Sequence, residues 1–197
     1  MKRIGLTGGI ATGKSTVTTY LREKGIPVID ADVVSREVTE KGSPVLDVLA
    51  DTFGPEIITE EGALDRKGLG KIVFSDPEKL EKLNGILHRS IMDSIDEQLD
   101  ELESTREHRF AVLDAALLIE SGVYKKMDLV WVVVTDMDIR IKRIMERDGV
   151  TAEFAEKKIA SQLSDEERLE KADEVLDNSG TIQELREQVD KILEKYA

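Results

Sequence analysis

A lysine and a serine that close a glycine-rich turn are the residues best suited to chemistry in this chain. Gly8-Gly9-Ile10-Ala11-Thr12-Gly13-Lys14-Ser15 fits the pattern G-x-x-x-x-G-K-[ST], with an apolar stretch before it and a helix-forming stretch after it. Glycines let successive backbone N–H groups point at phosphate oxygens, and the helix start adds its positive dipole end. Lys14 is placed to reach the β- and γ-phosphates, and the Ser15 hydroxyl to ligate Mg²⁺. Gly8, Gly9, Ala11, Thr12, Gly13, Lys14, Ser15 and Thr16 are therefore read as the binding loop for a nucleoside triphosphate.

The reaction that uses such a loop depends on what surrounds it. A guanine-reading N-K-x-D is absent, because the two asparagines, Asn84 and Asn178, precede Gly85 and Ser179. Asp51-Thr52-Phe53-Gly54 and Asp177-Asn178-Ser179-Gly180 fit a loose D-x-x-G pattern, but four-residue matches arise easily. A hydrolytic ATPase commonly carries Glu after the Asp that closes its third strand, and here Asp114 precedes Ala115. Transfer to a bound hydroxyl is the better reading. That chemistry is mostly positioning and charge neutralisation, with a carboxylate to take the hydroxyl proton. Asp30-Ala31-Asp32 closes the second strand, on the carboxyl edge of the sheet that also carries the loop. If the strand continues, Asp30 and Asp32 share a face. The alternative is that one of them caps the next helix. Arg36, one helical turn beyond Asp32, is a candidate clamp for an acceptor phosphate.

The elements that must position these groups alternate. Strands are expected at Lys2–Thr7, Pro27–Asp30, Phe110–Leu113, Leu129–Val134 and Glu174–Leu176. Helices are expected at Lys14–Lys24, Asp136–Arg147, Thr151–Leu169 (one or two) and Thr181–Lys195, with a mostly helical stretch from Val33 to Leu102. Near-continuous apolar strands alternating with helices imply a parallel sheet covered on both faces. The stretch between the second and third strands is too long for a simple crossover and reads as a helical insertion.

Composition narrows the function further. The 197 residues contain 41 acidic and 28 basic side chains, a net charge of −13. That balance argues against sequence-independent capture of nucleic acid and against docking on anionic membranes. There is no cysteine and there are two histidines, His88 and His108, so thiolate or three-histidine metal sites are excluded. Leu129–Val134, the longest apolar run, is far short of the ~20 residues that span a bilayer. No targeting segment is visible, and a cytoplasmic protein is expected.

Read in order, the pieces resemble dephospho-coenzyme A kinase over nearly the full length. Gly5 through Ser15 and Asp30-Ala31-Asp32 with Arg36 begin the match. It continues through Leu64-Asp65-Arg66, Leu69, Val73-Phe74, Leu83-Asn84 and Leu87-His88. Leu113-Asp114, Leu117-Leu118 and Glu120 follow, then Arg143, Arg147-Asp148-Gly149, Ile159 and Gln162, and finally Ala172-Asp173 through Asp177-Asn178-Ser179-Gly180. Arg89 and Ala116 stand where that family usually has Pro, Arg140 where Gln is common, and Lys158 where Arg is common.

The resemblance implies an α/β fold, a P-loop kinase-type three-layer sandwich with a parallel sheet. Residues 1–197 would form one domain, with a helical acceptor-binding insertion at about 33–104 and a helical lid at about 137–165. It implies ATP and dephospho-coenzyme A as substrates, Mg²⁺ as cofactor, and phosphorylation of the acceptor's 3′-hydroxyl. Asp32 becomes the general base, and Lys14, Arg143 and Arg147 the groups that meet the transferring phosphoryl charge. Asn178 and Gly180 would meet the adenine, while Arg36, Arg66, His88 and Leu117 would join Asp32 in holding the acceptor. Blander readings stay open: a basic helix face for the two arginines, an ordinary turn at Asn178–Gly180, an ion pair with Asp65 for Arg66, and a helix-face hydrogen bond for His88. Another small-molecule kinase, or a non-catalytic nucleotide-binding regulator, is the alternative function.

Overall fold

The computed structural model describes residues 1–197 and begins with the expected strand, loop and helix. β1 (Lys2–Gly8) runs into the glycine-rich loop, and α1 (Lys14–Glu23) leaves it. β2 (Val28–Asp30) is followed by α2 (Ala31–Glu37), α3 (Pro44–Phe53), α4 (Arg66–Val73) and α5 (Pro77–Thr105). β3 (Phe110–Asp114) and β4 (Leu129–Val134) come next, then α6 (Met137–Asp148), α7 (Ala152–Ala160) and α8 (Asp165–Leu169). β5 (Glu174–Asp177) and α9 (Ile182–Lys195) complete the chain. The fold is α/β, with a five-stranded sheet in the order β2-β3-β1-β4-β5.

β1 lies between β3 and β4, parallel to both, and β4 is parallel to β5. Leu6 on β1 stands level with Asp114 on one side and Trp131 on the other. Asp114, Val134 and Asp177 thus end their strands on the edge where β1 gives way to the loop. Apolar residues on both faces of a strand explain the unbroken runs: β3 is buried at every position, and β4 at all but its last. Val17 and Leu21 of α1, with Leu185, Val189 and Ile192 of α9, pack with Ile4, Leu6, Val112, Trp131, Val133 and Leu176 in one cluster. Trp131, the single tryptophan, is fully buried there.

The chain divides into two compact units, one of residues 1–29 and 102–197 and the other of residues 30–101. The second unit has its own core, where Val45, Leu46, Leu49 and Phe53 of α3 meet Ile57, Leu69, Val73 and Leu83. One local detail differs from the expectations, and two others refine them. α2 begins at Ala31, not Val33, because Asp30 caps it, so the strand does not run on to put Asp30 and Asp32 on one face. α5 is one continuous helix of 29 residues that passes through Gly85. The charged stretch after Thr151 is two helices, each with its own cap, Thr151 for α7 and Ser164 for α8.

Candidate active site

The loop between β1 and α1 has the backbone of an anion cradle. Ala11 and Gly13 both lie in the left-handed region, at φ 62° and 84°, which turns successive amides toward the same side. α1 has no side chain capping its start, so its first amides are offered to a ligand. Thr12 N–H and Thr12 Oγ1 both donate to the Gly9 carbonyl, at 3.2 and 2.9 Å. Ser15 is exposed at the first turn, and Thr16 is half-buried behind it. Lys14 pairs with the buried carboxylate of Asp114.

The outward side of the loop is held by residues that close other strands. Thr135, just after β4, and Asn178, just after β5, donate to the Thr12 carbonyl at 2.9 and 2.8 Å. Arg143 of α6 donates to the Ala11 carbonyl at 3.1 Å and to the Asn178 carbonyl at 3.3 Å. Gln162 accepts from Ile10 N–H at 2.7 Å, and Arg140 donates to the Ile10 carbonyl at 3.0 Å. The carbonyls of Gly9, Ile10, Ala11 and Thr12 thus point to protein partners, as do the N–H groups of Ile10 and Thr12, and the uncapped start of α1 is what the loop offers a phosphate. The Asn178 side chain serves the loop itself, and Gly180 lies in the exposed turn beyond it.

Arg143 and Arg147 sit one turn apart on α6 but have different partners. Arg147 makes a two-pronged bond to Asp148, at 2.7 and 3.0 Å, and Lys158 joins it at 2.9 Å. Those cations hold the Asp148 carboxyl far below the usual carboxylate range, and the same bond raises Arg147 above its ordinary value. Leu117, in the segment after β3, is 62% exposed.

Within the unit of residues 30–101, the two aspartates have separate tasks. Asp30 Oδ1 accepts from Asp32 N–H at 2.9 Å and Val33 N–H at 3.2 Å, the capping role. The Asp32 side chain is exposed in the first turn of α2, with Arg36 one turn further along. Asp65 caps α4, so it is not the ion-pair partner of Arg66, which instead donates to Thr39 Oγ1 at 2.7 Å. His88 is exposed on α5.

Thr135 escaped the sequence reading, and so did the pairing of Asp114 with Lys14. Their one visible signal is position, since each stands at or just beyond the carboxyl end of a strand. Gly13 illustrates how tight the loop is: a Cβ added there would collide with Asn178 Nδ2, the amide that holds Thr12. Gly13→Ala therefore combines left-handed strain with a broken buried hydrogen bond and is expected to cost about 2–4 kcal/mol. Thermal melting checks the stability, and a titration with Mg-ATP should show binding weakened as well.

Comparison with known proteins agrees along the whole chain. The family model described as CoaE, dephospho-CoA kinase, matches residues 2–184. The dephospho-CoA kinase of Fusobacterium nucleatum is 45% identical over 191 residues, covering 97% of this chain and 96% of that protein. Among solved structures, TT1252 from Thermus thermophilus superposes with a TM-score of 0.77 at 31% identity, covering 100% of this chain and 98% of the other. The dephospho-CoA kinase from Campylobacter jejuni gives 0.72 at 29% identity, covering 98% and 96%.

Proposed function

The chain belongs to the dephospho-CoA kinase family, and from that premise we propose how its residues divide the work. The reaction is the ATP-dependent phosphorylation of dephospho-coenzyme A, the final step of coenzyme A synthesis. ATP lies with its phosphates on the loop of Gly8, Gly9, Ala11, Thr12, Gly13, Lys14, Ser15 and Thr16. Gly180 stands beside the adenine, and Asn178 acts through the Thr12 carbonyl that it anchors.

The 3′-hydroxyl of the acceptor attacks the γ-phosphorus in line with the departing ADP oxygen. Asp32 accepts the hydroxyl proton as the O–P bond forms. Lys14 then exchanges part of its pairing with Asp114 for the phosphate oxygens, and Arg143 and Arg147 from α6 balance the charge that spreads over the transferring group. Arg36, Arg66, His88 and Leu117 hold the acceptor. No cluster of three or more carboxylate or histidine ligands exists in the chain. One exposed serine hydroxyl in the first turn of α1 instead suits Mg²⁺, which takes few protein ligands and the rest from phosphates and water. Ser15 would hold the ion, which would supply charge neutralisation to the nucleotide phosphates. The helical insertion at about residues 33–104 serves to bind the acceptor, and the region at about residues 137–165 serves as the lid. No helix is long and apolar enough to cross a membrane; with the acidic excess, the reading is a cytoplasmic enzyme that uses small-molecule substrates and no nucleic acid.

The observation that carries this reading is the cradle itself, with the carbonyls of Gly9, Ile10, Ala11 and Thr12 tied back to protein partners and Lys14 held at its mouth. Incubation with Mg-ATP and dephospho-coenzyme A should yield coenzyme A, detected by mass. Absence of product at high enzyme concentration would sink the reading, whereas product from a nucleoside acceptor alone would favour the other kinase class.

A further inference from the structure

A group of buried charges behind the phosphate loop takes part in none of these steps. Arg140 of α6 and Arg168 of α8 are each 1% exposed. Arg140 Nη1 donates to Asp165 Oδ2 at 2.7 Å, while its Nε donates to the Ile10 carbonyl at 3.0 Å. Arg168 Nη1 lies 2.5 Å from the Leu163 carbonyl and 3.5 Å from Asp165 Oδ1, and its Nη2 reaches Glu120 at 3.4 Å. Both guanidiniums crowd the loop. A Cβ added to Gly9 would stand 2.5 Å from Arg140 Nη2 and 3.3 Å from Arg168 Nη1.

Two positive groups side by side in a dry place are costly. Burial pulls the Arg140 guanidinium below its ordinary value, with Asp165 opposing and Arg168 adding to the effect. Buried ion pairs of this kind contribute little to stability compared with apolar residues of the same volume, so the arrangement needs another account. Its geometry supplies one. The Ile10 N–H goes to Gln162 and the Ile10 carbonyl to Arg140, so the peptide groups on either side of Ile10 cannot rotate. In a cradle built of amides, the direction of each peptide decides whether an anion meets N–H or C=O.

We propose that Arg140 is a positioning residue for the phosphate loop. By tying the Ile10 carbonyl to the cluster of buried Arg140, half-buried Asp165 and buried Arg168, it sets the loop amides in their receiving orientation before the nucleotide arrives. The inference rests on the reading of this loop as the ATP site and adds a regulator of its affinity. Arg140 touches no reacting atom; its effect passes through the backbone.

The test compares Arg140→Met, Arg140→Gln and the pair Arg140→Met with Asp165→Leu, which removes both partners together and guards against a misfolded single variant. Mg-ATP binding is measured by calorimetry, and KM for each substrate by steady-state kinetics. Arg140→Met and the double variant should weaken ATP binding by about tenfold and raise KM for ATP in step, with KM for dephospho-coenzyme A within about twofold of wild type. Arg140→Gln keeps a donor for the Ile10 carbonyl and should recover most of that loss. The inference is overturned if the folded double variant binds ATP as wild type does, if Gln is no better than Met, or if KM for the acceptor rises equally. Failure of the unmutated protein to bind Mg-ATP overturns the kinase reading itself, and needs no variant to detect.

Discussion

Asp32→Asn is expected to lower kcat by about 10²–10⁴-fold while leaving Mg-ATP affinity within about twofold of wild type. Asparagine has nearly the same shape and keeps the first turn of α2 intact, because the cap of that helix is Asp30 and not Asp32. The variant therefore removes a proton acceptor and little else. Steady-state kinetics gives the fall in kcat, and calorimetry the unchanged ATP binding. A variant that lost ATP binding and kept turnover would show that Asp32 is not the base. Asp30→Asn makes a useful contrast. Its side-chain oxygen still accepts from Asp32 N–H and Val33 N–H, so it should be nearly silent in both measurements.

Lys14→Met should have a comparably large effect by a different route. It removes the charge that follows the phosphoryl group, so kcat/KM for ATP should drop by about 10³-fold or more. It also strands Asp114, whose side chain is only 8% exposed, without its cation. Removing one member of a buried pair costs about 3–5 kcal/mol, and the melting temperature should fall accordingly. The double variant Lys14→Met with Asp114→Asn separates the two effects. It should regain much of the melting temperature, since an amide tolerates burial better than an unpaired carboxylate, and should stay inactive. Recovery of activity in the double variant would mean that Lys14 acts only as a counter-ion for Asp114.

What was legible in the sequence follows from how local each signal is. The five strands and the loop were readable because apolar runs and a glycine-lysine-serine motif declare themselves within a few residues. Asp30 was ambiguous for the same reason: a strand-closing aspartate and a helix cap look alike until the chain turns, and at Ala31 it turns. The ring of donors around the loop was not readable. Thr135, Asn178, Arg143 and Arg140 come from 123 to 166 positions further along the chain, and only the parallel order of β1, β4 and β5 gathers the strand-end members on one edge. Arg143 and Arg147 show the limit of spacing arguments. Four residues apart they share a helix face, yet one grips the loop backbone while the other is bound to Asp148.

Trp131 carries a practical consequence. The chain has a single indole, fully buried beside Leu6 on β1 and level with Glu174 on β5. Its fluorescence therefore comes from one known place, the strand next to the one that delivers the phosphate loop. An emission maximum that stays blue reports an intact sheet, and a red shift reports water reaching it. The chain thus holds its own optical gauge of folding, read in the same cuvette as the kinetics and free of any attached dye.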